Sequence, residues 1–274
     1  MSEHQSELHD KDPIRKGFFQ TPGDVEKSMS EPINKLYNKE IPINETFETV
    51  QGEGRLVGVP SLFIRTDGCN LKCQWGETKC DAWYSSWEPD GKKQDLKSLV
   101  DLYASYEHNH IVITGGEPMM WDVLKDLIFA LKSAGSILDR IPHITIETNG
   151  TFFLFTEADL LSISPKLSSS VPTESSHARG HNKRRLNYKV LQRLIDAYDY
   201  YLKFVVDTKD DMEEIYEIVE ELNVPADNVY LMAQGVDAKL LQEKAQWITQ
   251  LCMDNGYRFT PRLHIDVWGN VRGT

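Results

Sequence analysis

Long apolar runs are absent from this chain of 274 residues, and so is an excess of basic side chains. No hydrophobic stretch approaches the ~18 residues that a membrane helix needs, so we expect no contact with a membrane. Lysine and arginine number 30 against 42 acidic residues, which gives a net charge of −12. That balance argues against a broad nucleic-acid-binding face. The polar first residues contain no apolar core of a secretion signal.

Cysteine is scarce as well, but it is unevenly placed. The chain has four cysteines, and Cys69, Cys73 and Cys80 lie within one short segment. This distribution does not resemble a disulfide framework, so we expect a cytoplasmic, reducing location. Three clustered thiols without a fourth ligand nearby predict a metal or cluster site with one open position.

Strand-like and helix-like patterns alternate along most of the chain, which predicts an α/β fold with a mainly parallel sheet. We predict strands at 45–50, 61–66, 110–114, 143–148, 160–164, 201–206, 229–232 and 262–267. Helices are predicted near 96–106, 123–131, 212–222 and 238–255, the last ending at Gly256. We predict an incomplete (β/α) barrel at 44–274 rather than a complete eightfold barrel.

Two segments fall outside this alternation. Residues 1–43 are polar and weakly periodic, and we interpret them as an N-terminal extension, partly disordered or with a short helix near 25–37. Residues 168–185 are predicted to be a polar loop insertion, whose basic end at 178–185 is a solvated loop.

Polar groups lie in or directly after five of the predicted strands. They are Gly115-Gly116-Glu117-Pro118, Glu147-Thr148-Asn149-Gly150, Ser164-Pro165-Lys166, the lysine Lys203 within its strand, and Met232-Ala233-Gln234-Gly235. In a parallel barrel the carboxyl ends of the strands share one face, where active sites are built. Turn chemistry alone does not explain so many charged and amide side chains at these points.

Three interpretations of the cysteines were compared. A structural zinc site needs a fourth ligand, but no histidine lies between His9 and His108, and Asp81 would be an uncommon substitute. Three buried free thiols are conceivable, since cysteine is often buried, but not readily in so short a segment. We favour a 4Fe-4S cluster held by three thiolates, whose fourth iron can bind a small molecule.

Several ordered motifs then point to a family. In chain order these are TVQGEG at 49–54, Arg65, GCNLKC at 68–73, Cys80-Asp81, TGGEP at 114–118, ETNG at 147–150, SPK at 164–166 and MAQG at 232–235. The cysteines and GGEP resemble the radical S-adenosylmethionine enzymes. The whole set resembles the 7-carboxy-7-deazaguanine synthases, over about residues 44–274.

The resemblance implies a reaction. The reduced cluster would cleave S-adenosylmethionine to a 5′-deoxyadenosyl radical, which takes a hydrogen from carbon 6 of 6-carboxy-5,6,7,8-tetrahydropterin. Ring contraction with loss of ammonia then gives 7-carboxy-7-deazaguanine, and S-adenosylmethionine is regenerated. The resemblance also implies Mg²⁺, a homodimer, and a reductant such as flavodoxin or ferredoxin. Queuosine and archaeosine biosynthesis both use this product.

It also implies site residues. The cluster would be bound by Cys69, Cys73 and Cys80. S-adenosylmethionine would be bound by Lys79, Cys80, Asp81, Gly116, Glu117, Ser164, Pro165, Lys166 and Gln234. The pterin would be bound by Val50, Gln51, Gly52, Arg65, Thr114 and Thr274. Glu147 is a candidate catalytic residue, and the Arg65 guanidinium suits the substrate's carboxylate.

Two features depart from the family pattern. Six residues separate Cys73 from Cys80 where two are usual, so four residues near 74–79 form an insertion. Ala82 stands where the family usually has a threonine whose hydroxyl binds Mg²⁺. The magnesium ligand therefore stays unassigned: Asp81 with water, Ser85 or Ser86, or no metal at all.

Other residues need no functional explanation at this stage. We assign Cys252 to the core of the last long helix. Of the histidines only His264, on the last predicted strand, could face the site, and we favour a core or surface position for it. Two competing functions also remain. One is a radical-activating enzyme that acts on a partner protein, and the other is a non-catalytic zinc or iron-sulfur module.

Overall fold

The computed structural model describes residues 35–274, so the helix predicted near 25–37 lies largely outside the described residues. The strands are β1 Glu40–Val50, β2 Pro60–Thr66, β3 Gln74–Trp75, β4 Thr78–Lys79, β5 Lys92–Asp95, β6 His110–Gly115, β7 His143–Thr148, β8 Leu160–Ile163, β9 Tyr200–Val206, β10 Val229–Ala233 and β11 Arg258–Thr260. The helices are α1 Trp83–Ser86, α2 Leu96–Ser105, α3 Leu124–Ile137, α4 Ala178–Arg184, α5 Tyr188–Ala197, α6 Asp211–Glu221, α7 Ala238–Asn255 and α8 Leu263–Trp268.

Nine of these strands form one sheet, in the order β11-β10-β9-β8-β7-β6-β2-β1-β5. All neighbours from β2 to β11 are parallel, while β1 runs antiparallel to both β2 and β5. The edge strands β5 and β11 lie at opposite ends of this order, so the sheet does not close. The predicted incomplete barrel is therefore confirmed.

The apolar residues of the strands and the buried stripes of the longer helices build the core. Residues 110–114 of β6 are all buried, as expected for a parallel strand covered on both faces. In α2 the buried stripe is Leu96, Leu99, Val100 and Tyr103, and the Asp95 side chain caps the helix by accepting from Ser98 N at 2.7 Å.

The helix α7 matches its predicted bounds. The Asp237 side chain accepts from Leu240 N at its start, and Gly256 ends it with φ 69°. That left-handed conformation suits glycine, which confirms the predicted C-terminal stop. Within residues 35–274, no helix combines the length and the apolar composition that crossing a membrane requires.

The local structure differs from the prediction in several places. Residues 262–267 are not a strand; the last strand is β11, and α8 follows it. The helix α5 and the edge strand β5 were missed. Residues 168–185 contain a 3₁₀ turn and the helix α4 rather than a loop. The folded region also begins before residue 44, because β1 starts at Glu40 and both Tyr37 and Ile41 are buried.

Candidate active site

A cavity of about 420 Å³ opens at the carboxyl ends of the parallel strands. This size suits a small-molecule site. Its wall contains every residue predicted to bind the cluster, S-adenosylmethionine or the pterin except Glu117 and Pro165, and it also contains Glu147 and Ala82. The predicted residues, which are spread over more than 200 positions, therefore meet at one place.

The three clustered cysteines lie on this wall as free thiols. The insertion between Cys73 and Cys80 folds as the hairpin β3–β4, which pairs Gln74 with Lys79 and turns at Gly76 with φ 55°. Cys80 N then donates to Cys73 O at 3.0 Å. The longer segment therefore brings the second and third cysteines side by side, and the donor set suits a cluster bound by three thiolates.

Neighbouring groups fix the backbone and sulfur atoms of this loop. Cys69 Sγ accepts from Leu71 N at 3.4 Å and from Asn149 Nδ2 at 3.9 Å. Trp87 Nε1 donates to Cys73 O at 3.0 Å. Burial raises the pKa of the Cys73 thiol to about 11, so assembly of a cluster on these thiols must release protons.

The cysteines are not arranged around a single ion. Among residues 35–274, no group of three or more His, Cys, Asp or Glu side chains is placed to hold one metal ion. A mononuclear zinc site needs its ligands to converge on one point, whereas each thiolate of a 4Fe-4S cluster binds a different iron. The three cysteines are compatible with the second case.

The strand end of β6 presents backbone to the cavity rather than a carboxylate. Gly115 has φ 141°, and a side chain there would meet Thr66 O at 2.2 Å, so glycine is required. The next residue, Gly116, lines the cavity. Glu117 is instead fully buried, and its carboxylate accepts from Met119 N, Thr148 Oγ1 and Asn149 N at 2.7–3.0 Å.

This placement corrects the prediction that Glu117 contacts a ligand directly. Its carboxylate joins the ends of β6 and β7 beneath the cavity wall. Burial raises the pKa of Glu117 above its usual value, against the effect of these hydrogen bonds. Pro165 is also buried behind the wall, between two residues that do line it.

Those two residues, Ser164 and Lys166, lie at the end of β8, where Lys166 Nζ donates to Ser164 Oγ at 2.7 Å. Gln234 follows β10, and its backbone and side-chain oxygens accept from Lys244. The Lys79 ammonium pairs with Glu88 at 3.1 Å, although the residue itself lines the cavity. These strand ends offer hydroxyl, ammonium and amide groups to one ligand.

Three predicted residues of the cavity wall form a hydrogen-bonded group. Thr114 Oγ1 donates to Glu147 Oε2 at 2.8 Å, and Gln51 Nε2 donates to Glu147 Oε1 at 3.1 Å. Each oxygen of the carboxylate is therefore held in place. Val50, the neighbour of Gln51, lies on the same wall.

The Arg65 guanidinium is held between aromatic rings. Its Cζ lies 5.7 Å from the Phe47 ring centre and 5.8 Å from that of Tyr84, and its Nε donates to Glu45 Oε1 at 2.8 Å. Burial opposes the charge, but Tyr84 and Glu45 outweigh it and raise the pKa. A permanently charged group is thus fixed at the cavity wall.

A buried network of ion pairs lies next to this group, and the sequence analysis missed most of it. Lys203 and Arg262 both pair with Glu53, and Arg262 also pairs with Asp81. Burial would raise the pKa of Glu53, but Lys203 and then Arg262 outweigh it and lower the pKa to about 2. The position of Glu53 within the QGEG motif was the available signal.

His264 belongs to the cavity wall, so it faces the site, and the favoured core or surface position was wrong. It packs so closely on Gly52 that a side chain at residue 52 would meet His264 Nδ1 at 2.1 Å. Glycine at this position is therefore explained by close contact with an imidazole. Burial lowers the pKa of His264 below its usual value.

Residues 270–274 form another part of the wall. Arg272 holds this segment, because its guanidinium contacts Glu45 Oε2 at 3.0 Å and Asn44 Oδ1 at 2.7 Å and lies 4.0 Å from the Tyr84 ring centre. Thr274 Oγ1 donates to Val271 O at 2.8 Å.

The residues around Ala82 do not fit a magnesium ion. The Ala82 side chain has no donor atom, and its carbonyl accepts from both Ser85 Oγ and Ser86 Oγ at 3.0–3.1 Å. One Asp81 oxygen accepts from Ala82 N and the other contacts Arg262. The hydroxyls that were alternatives to threonine are thus engaged with backbone, and a cationic guanidinium lies beside the carboxylate.

Comparisons with known proteins agree with this site. The radical SAM superfamily model matches residues 63–204. A 7-carboxy-7-deazaguanine synthase of Rhodopirellula baltica is 40% identical and covers 93% of this chain and 93% of its own length. One from Halobacterium salinarum is 39% identical and covers 85% of this chain and 93% of its own length.

The fold has a relative among solved structures. QueE from Escherichia coli matches with a TM-score of 0.59 at 22% identity, over 86% of this chain and 99% of that one. This likeness concerns the fold, and the sequence relatives establish the family. The chain therefore belongs to the 7-carboxy-7-deazaguanine synthase family of radical SAM enzymes.

Proposed function

We propose that this chain converts 6-carboxy-5,6,7,8-tetrahydropterin to 7-carboxy-7-deazaguanine with loss of ammonia, as a lyase of 7-deazapurine biosynthesis. The observation that carries the proposal is the meeting of three free thiols and five strand-end motifs at one cavity. Two relatives described as 7-carboxy-7-deazaguanine synthases match over most of their length.

Cys69, Cys73 and Cys80 hold the 4Fe-4S cluster in this proposal. Bound together, the cluster and S-adenosylmethionine supply the radical that takes hydrogen from carbon 6 of the pterin. Ser164, Lys166 and Gln234 bind the polar groups of S-adenosylmethionine, and the Gly116 backbone lets it approach closely. Glu117 acts indirectly, since it fixes the Asn149 backbone.

A second set of residues on the cavity wall binds the pterin. Among residues 35–274 the Arg65 guanidinium hydrogen-bonds through its Nε only, so its terminal N–H groups can match the substrate's carboxylate. Glu147, held by Thr114 and Gln51, accepts hydrogen bonds from ring N–H groups of the pterin. Its fixed carboxylate is also the group able to take or return a proton during ring contraction.

The direct test uses anaerobically reconstituted protein with S-adenosylmethionine, dithionite and the carboxylated tetrahydropterin. We expect 7-carboxy-7-deazaguanine by mass spectrometry, with S-adenosylmethionine not consumed in stoichiometric amounts. Protein with an intact cluster spectrum and no product would contradict the proposal. Zinc without iron after anaerobic preparation would instead indicate a structural module.

Arg65→Ala separates this function from activation of a partner protein. Loss of the guanidinium should weaken pterin binding by about tenfold or more, while the cluster spectrum stays unchanged. Arg55→Ala is the matched control, because Arg55 pairs with Asp199 and is not part of the cavity wall. Equal pterin affinity in both variants would show that Arg65 does not bind the substrate.

Three features of the proposal rest on the family resemblance. They are a cytoplasmic location, a homodimer, and a reductant such as flavodoxin or ferredoxin. Sedimentation of the reconstituted protein tests the dimer, and exchange of dithionite for a reduced flavodoxin tests the reductant.

A further inference from the structure

The helix α4 carries a basic face on an otherwise acidic protein. Residues 177–189 contain five lysine and arginine side chains and no Asp or Glu, whereas the whole chain has a net charge of −12. Arg179, Lys183 and Arg184 of this helix are exposed. We name these three residues the basic face of α4.

The buried side of α4 is attached to the cysteine loop. His181 is fully buried, and its Nδ1 accepts from Lys72 N at 3.1 Å. Arg184 Nε donates to Asn70 O at 3.1 Å. These backbone atoms belong to the residues next to Cys73 and Cys69, so the basic face lies directly outside the cluster-binding loop.

Further contacts hold α4 in this position. Arg185, at its end, donates to Lys166 O at 2.9 Å and pairs with Glu214 of α6. Before the helix, the His177 ring packs edge-on against Trp87 at 5.7 Å. Since Trp87 also donates to Cys73 O, α4 and the loop form one packed unit. The basic face is therefore presented on a fixed support.

We propose that the basic face of α4 is the docking surface for an acidic one-electron carrier protein. The proposal rests on the function proposed above, in which a cluster on Cys69, Cys73 and Cys80 must be reduced. A reduced flavin of the carrier gives up one electron and becomes a semiquinone, and the oxidised cluster accepts that electron. The cluster-binding loop lines the cavity, where small molecules bind, on one side and packs against α4 on the other.

Charge complementarity selects the partner. An acidic carrier is repelled by most of a protein with 42 acidic and 30 basic residues and is attracted to this patch. Such a pattern orients an encounter complex and increases the association rate. Binding should therefore weaken as salt rises, because exposed charges are screened.

The test measures binding directly. Arg179→Glu with Lys183→Glu reverses two exposed charges, and Arg184 is left in place because it holds Asn70. The control, Lys92→Glu with Lys125→Glu, makes the same change in net charge. Lys92 lies on the edge strand β5, and Lys125 lies on α3 near Lys39 and Glu40. Holoenzyme variants are titrated with an acidic flavodoxin by calorimetry at low and at high salt.

We expect the α4 variant to raise the flavodoxin Kd by about tenfold or more at low salt, and the control to change it little. Dithionite-driven turnover and the cluster spectrum should match wild type in both. An unchanged Kd in the α4 variant, or an equal loss in the control, overturns the docking site. If the wild-type protein forms no product with dithionite, the proposed reaction is contradicted. The docking site is then still tested by the flavodoxin Kd values alone.

Discussion

Replacing Lys203 with methionine should destabilise the protein through Glu53. Lys203 and Glu53 are an ion pair whose side chains are 8% and 13% exposed. Methionine keeps the length of the side chain but removes the charge. It leaves Glu53 and Asp81 to share Arg262 as their paired cation.

The two cations lower the pKa of Glu53 from 4.5 to about 2 against burial. Removing one partner of a buried ion pair costs roughly 3–5 kcal/mol, and because Arg262 still pairs with Glu53 in the variant we expect the lower end of that range, roughly 3 kcal/mol. Because the folded pKa is below the unfolded one, this stability is present above pH 4.5 and is lost as pH falls toward 2.

Thermal melting of the reconstituted protein at pH 7 is the assay. A loss of this size should lower Tm by about 6–12 °C for a domain of this length. Lys97→Met is the matched control, since the Lys97–Asp101 pair is about one-third exposed and should contribute less than about 1 kcal/mol. Glu53→Gln combined with Lys203→Met should regain part of the lost stability.

Two results would refute this reasoning. Equal Tm shifts for the two lysine variants would show that burial of the pair is unimportant. A double variant whose loss equals the sum of the single losses would show that Lys203 and Glu53 do not interact.

Three other perturbations test separate parts of the structure. Burial lowers the pKa of His110 to about 4, so the unfolded state binds more protons between pH 6.5 and 4. Stability should fall over that window by about 3 kcal/mol, and Tm against pH should be flatter for His110→Gln; parallel curves would contradict this. The pterin affinity of the wild-type protein should not change when Mg²⁺ is replaced by EDTA. In the Ala82→Thr variant, added Mg²⁺ should increase the pterin affinity. A dependence of wild-type pterin affinity on Mg²⁺ would show a magnesium site. The Gly52→Ala substitution must displace His264, so KM for the pterin should rise several-fold while the cluster spectrum is retained. An unchanged KM would show that His264 does not contribute to pterin binding.

The parallel part of the fold could be predicted because its strands are continuous apolar runs between turn residues. The bounds 143–148 and 238–255 were found from the sequence as the structure has them. The strand β5, KKQD, has no apolar alternation, and it forms because β1 offers an edge to pair with. Such tertiary pairing is invisible in a local pattern.

The site residues could be predicted where polar side chains lie at strand ends. They were missed where tertiary packing determines whether a side chain reaches the cavity. Glu117 was read as a ligand because it follows two glycines, yet its carboxylate binds buried backbone. Arg262 and His264 were assigned to a strand, and the turn into α8 brings both to the cavity. The basic segment at 178–185 was interpreted as solvated, since its single buried residue, His181, gives no periodic signal.

The hairpin β3–β4 has a consequence for how the length of the cysteine loop can vary. Because Cys73 and Cys80 face each other across paired strands, the distance between them depends on strand pairing and not on the number of residues. Adding one residue to each strand preserves the register, whereas adding one residue to a single strand turns the following side chains to the other face. The number of residues between these cysteines can therefore increase in steps of two, one residue in each strand, without separating the two thiols.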